Sequence, residues 1–213
     1  MIPAPTPVPV PRPPPVRLSR LLLVEGDTPT HFFEALLRHL ALSNDIEVRN
    51  FRSITNLRPF LLDLAKTAEF QALATSVGIV RDAESDAAAA RQSAQHALQA
   101  AGLTPARTPP IKTSIFILPD NANPGMIETL CMHAVESEPT LSGEYACAVE
   151  FIACLNKNRV ALPTEPKLAK NRAQAYLATR MDVQLFPGQA AYRGHWPFDN
   201  PAFDPLKKFL QAL

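Results

Sequence analysis

The residues of this chain best suited to chemistry are acids, and they sit beside apolar runs. Glu25 directly follows "LLLV" and precedes a glycine. Asp82 stands two residues after Val80, and "RDAESD" then alternates Asp82, Glu84 and Asp86. Asp120 follows "IFILP", and Glu128 comes shortly after it in "PGMIETL". Taken singly, Asp27, Asp86 and Asp120 also read as ordinary loop or cap residues. Glutamate is not a favoured cap, so Glu25 tight against an apolar run asks for a different reason. Carboxylates gathered around one crevice repel each other unless protons or a cation neutralise them. Mg²⁺ and Mn²⁺ suit all-oxygen ligands of this kind. If the chain stays extended past Val80, Asp82, Glu84 and Asp86 share one side and two of them can reach one ion. Glu128 falls in the first turn of a helix, where the macrodipole favours an anion.

The elements that must position these acids follow from the apolar pattern. "RLSRLLLV" (17–24) reads as a buried strand, and Phe32, Phe33, Leu36, Leu37 and Leu40 then carry helical spacing. "DIEVRNF" predicts a second strand, and "ITNLRPFLLDLAKTAEF" a helix from Leu57 onward with Pro59 in its first turn. A third strand centres on Val77 to Val80, followed by an Ala-rich helix that Gly102 stops. "TPARTPP" (104–110) is a loop and "TSIFILPD" a fourth strand. The next helix is expected to take Asn123 as cap and Pro124 as first residue, with Ile127, Leu130, Cys131 and Ala134 on one face. Further helices fall around "GEYACAVEFIACL", "KLAKNRAQAYLAT" and "FDPLKKFLQAL". Strands alternating with helices predict an α/β fold: a Rossmann-like, mostly parallel sheet of about four strands with extra C-terminal helices. In such a sheet ligands bind beyond the carboxyl ends of the strands, which is where the acids after three strands lie.

Composition removes other classes. Lys plus Arg is 21 against 20 for Asp plus Glu, so phosphate contacts need a local patch, such as Lys167, Lys170 and Arg172 in "KLAKNR". Arg81 is placed to pair with a neighbouring acid. "YRGHWPF" (192–198) gathers aromatic residues that either stack bases or pack under a loop. Three cysteines without a CxxC pair point to reduced thiols, with Cys147 and Cys154 on one buried helix face. The five histidines show no metal-ligand spacing, and there is no Walker A, GxGxxG or GxSxG motif. Eight of the 22 prolines lie in the first fifteen residues, so 1–16 is expected to be a disordered or polyproline-like tail and 17–213 one domain. No run approaches the roughly 18 residues of a membrane span or the pattern of a signal peptide, so the expectation is a soluble, cytoplasmic protein.

"LLLVEGDTPTHFFEALL", "VGIVRDAESDAAAARQSAQHAL", "FILPDNANPGMIETL" and "KLAKNRAQAYLAT…FDPLKKFL" together resemble a Toprim-like group of prokaryotic proteins of unknown function related to the OLD-family nucleases. The resemblance spans roughly residues 18 to 213. It implies a Toprim-type fold and Mg²⁺-dependent phosphoryl transfer. On it, Glu25 matches a glutamate that serves as metal ligand or as general base and acid. Asp82 and Glu84 match a DxD pair, and Glu128 an acid of the later block. Lys167 or Lys170 falls where these nucleases place a basic residue near the scissile phosphate; Lys170 is the one carried forward. Two departures stand out: the second acid of the pair is Glu84 rather than aspartate, and Pro29 occupies a position that often holds an acid, for which Asp27 is an imperfect substitute.

The leading expectation is therefore a nuclease acting on DNA or RNA, with Glu25 and Lys170 catalytic and Glu25, Asp82, Glu84 and Glu128 holding Mg²⁺ or Mn²⁺. The alternative is a non-catalytic module that binds a partner such as an ATPase. A third reading is a small-molecule phosphotransfer or nucleotide-binding protein.

Overall fold

A computed structural model of the protein describes residues 14–104, 108, 110–184 and 186–213. The chain alternates β1 (Arg20–Val24), α1 (Asp27–His39), β2 (Ile46–Asn50), α2 (Ile54–Leu64), α3 (Ala68–Leu73), β3 (Ser76–Asp82), α4 (Ala87–Ala100) and β4 (Lys112–Leu118). Five helices follow: α5 (Ile127–Ser137), α6 (Ser142–Lys157), α7 (Leu168–Leu177), α8 (Pro187–Tyr192) and α9 (Asp204–Gln211), with a 3₁₀ turn at Pro201–Phe203 before the last. The strands form one sheet in the order β2-β1-β3-β4, every pair parallel. This is the expected Rossmann-like α/β architecture. The order reverses between β1 and β3, and a crevice opens beyond the carboxyl ends at such a switch point.

Alternation along the strands divides the core between two faces. Leu22, Val24, Val80, Phe116 and Leu118 pack with α1, α5, α7, α8 and α9, whereas Leu21, Leu23, Val77 and Ile79 pack with α2, α3 and α4. Because both faces are covered, β1 reads as an unbroken apolar run rather than an alternating one. Gly188 lets α8 lie directly on α1: a Cβ there would stand 2.4 Å from the Thr28 carbonyl oxygen.

Several expected boundaries move, each for a local reason. The helix expected from Leu57 starts at Ile54, so Pro59 lies inside it and removes the backbone donor for Thr55. The same stretch divides in two because the Thr67 hydroxyl accepts from the Phe70 N–H and starts α3. α5 begins at Ile127, not after Asn123, because Gly125 (φ 144°) is paired antiparallel with Glu84 and keeps the approach extended. Asn123 instead donates to Asp120. Cys147 and Cys154 are exposed rather than buried; only Ala148 and Ile152 of α6 are buried, and Cys131 of α5 is the buried thiol. Most of the proline-rich stretch lies outside the described residues, but at its end the Pro14 and Pro15 carbonyls accept from the Arg49 guanidinium and Val16 is buried. Among the described residues no helix is long and apolar enough to cross a membrane.

Candidate functional site

A cavity of about 480 Å³ lies at the switch point. Its walls carry four acids, Glu25, Asp82, Glu84 and Glu128, and three cations, Arg52, Arg81 and Lys170. Five of the residues singled out from the sequence, Glu25, Asp82, Glu84, Glu128 and Lys170, thus line one space, although the fold draws them from in or near β1, β3, α5 and α7.

Two of the acids sit on helix N-termini. Glu25, just past β1, reaches across the sheet, and its Oε1 accepts from the Ile54 N–H at the start of α2, 2.9 Å away. That reach explains why a glutamate stands here, since the helix it caps begins 29 residues on. Asp82 ends β3 itself, and its Oδ1 accepts from the Ile127 N–H of α5 at 3.0 Å. Free N–H groups and the helix dipole favour an anion at both places.

Glu84 does not continue an extended chain as expected. It adopts a left-handed conformation (φ 52°) and exchanges two backbone hydrogen bonds with Gly125, at 2.9 and 2.8 Å. A non-glycine residue in that region costs about 1 kcal/mol or more. The kink keeps Glu84 on the cavity wall and turns Asp86 away, where its side chain caps α4 by accepting from Ala89. Asp120 is also absent from the wall. Its carboxylate organises its own turn through Asn123 and Ala122, and those bonds outweigh burial to lower its pKa. Two strand-end acids meet in the crevice, not three.

Glu128 is the least reconciled group. Its side chain is 7% exposed, and its Oε2 is buried without a hydrogen-bond partner. Burial, and then the nearby Glu84, raise its pKa against the pull of its own backbone N–H and of Lys170. Asp82 is pushed up to about 7, first by burial and then by the Glu128 carboxylate, against the Ile127 N–H, while Glu84 raises it further and Lys170 opposes. Burial lowers the Arg81 pKa, while Glu25, Asp82 and Glu84 hold its charge in place. Arg81 forms no ion pair with them; its Nη1 donates to the Ala90 carbonyl at 3.2 Å.

A hard divalent cation fits this donor set. The donors are oxygens, one is buried and unpartnered, and burial together with neighbouring carboxylates raises the proton affinity of Asp82 (through Glu128) and of Glu128 (through Glu84), in the manner of a site that lacks positive charge. Among the described residues, no group of three or more His, Cys, Asp or Glu side chains is arranged so that it could hold an ion by itself. An ion in this cavity would take at most one or two of its ligands from these carboxylates and the rest from water or a bound molecule, as Mg²⁺ and Mn²⁺ tolerate.

Other residues of the site had no clear signal in the sequence. Asn50, the last residue of β2, accepts from the backbone N–H groups of Gly26 (2.9 Å) and Arg52 (2.6 Å) and donates to Asp27 (2.7 Å). It thereby fixes the Glu25 turn (Gly26 φ 91°) and brings Arg52 to the cavity. Lys167 is not on the wall, and Arg172 is paired with Glu165. The "YRGHWPF" cluster packs: Trp196 is buried, stacks on Tyr176 with centroids 5.6 Å apart, and donates to the Pro187 carbonyl at 2.9 Å.

A family model described as "Protein of unknown function (DUF3226)" matches residues 19–213. No curated protein and no solved structure matches the chain.

Proposed function

Because the chain belongs to the DUF3226 family, whose description assigns no activity, we propose from the site itself that it is a Mg²⁺- or Mn²⁺-dependent phosphoryl-transfer enzyme, a nuclease acting on DNA or RNA. The observation that carries this reading is that Asp82 and Glu128 line the same switch-point crevice, both largely buried, the Glu128 charge raises the Asp82 pKa, and one Glu128 oxygen is buried and bonds to nothing. The likeness of the "VEG" and "DAE" blocks to the Toprim domains of OLD-family nucleases supports it.

In this reading Asp82 and Glu128 hold the ion, with Glu84 beside them. A Mg²⁺ held there would supply Lewis-acid polarisation of a phosphoryl oxygen. Lys170 and Arg81, which line the same cavity, offset phosphate charge. Glu25 keeps Oε1 on the Ile54 N–H, which orients the carboxylate and leaves its second oxygen to take or return a proton. The test is cleavage of labelled single- and double-stranded DNA and RNA with Mg²⁺, Mn²⁺ or EDTA. Metal-dependent cleavage should fall at least 100-fold in Glu128→Gln and in Lys170→Ala. Equal activity in folded Glu128→Gln would refute the reading.

One observation favours a second reading. Glu25 is engaged in capping α2, and among the described residues no three acids are arranged to hold an ion together, as suits a non-catalytic Toprim-like module that binds a protein such as an ATPase. Recovery of a stoichiometric protein partner together with no cleavage of any of the four substrates would select it.

A further inference from the structure

The outer face of α6 is chemically incomplete. A helix that is apolar on most sides belongs in an interior, yet α6 buries only Ala148 and Ile152. Cys147, Phe151, Ala153 and Cys154 are exposed, Phe151 at 54%. Among these residues stand two charges, Glu150 and Lys157, both exposed and neither in an ion pair among the described residues.

The spacing of the two charges says what fits the face. Glu150 and Lys157 are seven residues apart, two helical turns, and so lie on the same side of α6. A second copy of the helix laid antiparallel across a two-fold axis puts each Glu150 opposite the partner's Lys157 when the axis passes between Ala153 and Cys154. Both charge pairs form at once, as a two-fold interface requires. The residues at the axis, an alanine and a cysteine, are small enough for the helices to approach closely. The same register places Cys154 beside its own copy and leaves Cys147 far from its counterpart. Cys147 and Cys154 cannot bridge within one chain, because seven helical residues separate them by about 10 Å and a disulfide needs Cα atoms within about 7 Å.

We propose that the exposed face of α6 is a homodimer interface, an antiparallel pairing of two α6 helices held by reciprocal Glu150–Lys157 contacts about a two-fold axis at Ala153 and Cys154. The apolar face is the binding surface and the charges set its direction and register.

The test is light scattering on the full chain across a concentration series, with circular dichroism on every variant. The wild type should run as a dimer. Glu150→Lys turns both contacts into repulsions and should weaken association about tenfold or more. The double exchange Glu150→Lys with Lys157→Glu restores complementarity and should restore the dimer. Diamide, an oxidant that takes up two hydrogens as two thiols become one disulfide, should cross-link wild type and Cys147→Ser but not Cys154→Ser. A wild type that stays monomeric throughout, a dimer indifferent to Glu150→Lys, or cross-linking through Cys147 would overturn the proposal.

Discussion

The two ends of the sheet use charge in opposite ways. At the amino end, Arg20 donates to the carbonyls of Leu210 (3.2 Å) and Gln211 (3.3 Å), and Lys112 to that of Ala212. These cations meet the free carbonyls at the end of α9, the arrangement the helix dipole favours. Leu213 then packs against Gly78 on the central strand, where a Cβ would come within 2.7 Å of it. At the carboxyl end the acids also meet helix termini, but in excess. Asp82 has its N–H donor and is still driven up to about 7, and Glu128 keeps an unpartnered buried oxygen. One end is settled for stability; the other carries a conflict that stability alone does not account for.

The sharpest way to break the contrast is to damage the settled end. Gly78→Val should force Leu213 and Phe209 aside and cost about 3 kcal/mol, read as a lowered urea midpoint. A loss under about 0.5 kcal/mol would mean that the C-terminal residues do not stabilise the sheet.

At the other end, removing acids should help. Glu128→Gln is expected to stabilise the metal-free protein at pH 8 by about 1 kcal/mol, because it ends the repulsion of Asp82. Its effect should shrink at pH 5, where protons already relieve the pair. Destabilisation at pH 8 would mark Glu128 as a structural residue.

The sign of the pH dependence follows from Asp82. Its pKa is raised from 3.8 unfolded to about 7 folded, so between these values the folded state binds the extra proton. This group therefore favours folding fully below about pH 4, and the benefit is lost as pH rises through about 7. Metal-free wild type should lose stability from pH 5 to pH 8 more steeply than Asp82→Asn, in urea denaturation at fixed ionic strength.

The smallest effect concerns Glu25. Glu25→Ala removes an acceptor at the start of α2 and should cost about 0.5 kcal/mol, the low end of cap losses. No change in stability would leave phosphoryl chemistry as the reason for a glutamate at this place.

How far the sequence could be read divides along similar lines. β1, β3 and β4 were legible because apolar runs must be buried on both faces, and the crevice followed from the alternation of strands and helices. Glu25, Asp82, Glu84, Glu128 and Lys170 all line the crevice, and four of them stand out in the sequence by position beside a strand or in a first turn. What could not be read depended on contacts distant in sequence. The cap from Glu25 to Ile54 spans 29 residues, and the bridge from Glu84 to Gly125 moved the start of α5 and took Asp86 out of the site. Asn50 resembles any strand-end polar residue until its three partners are seen. The exposure of Cys147 and Cys154 is not legible, because an apolar helix with this spacing fits a buried face equally well.

Whether the acid crevice takes a divalent cation is decided by calorimetric titration of Mn²⁺ and Mg²⁺ at pH 7 in two buffers of different ionisation enthalpy. Binding should release protons, since Asp82 must ionise fully, and should be lost in both Asp82→Asn and Glu128→Gln while each remains folded. Binding of equal strength in those two variants, or none by the folded wild type up to millimolar metal with a non-cleavable oligonucleotide present, would contradict a cation site in the crevice.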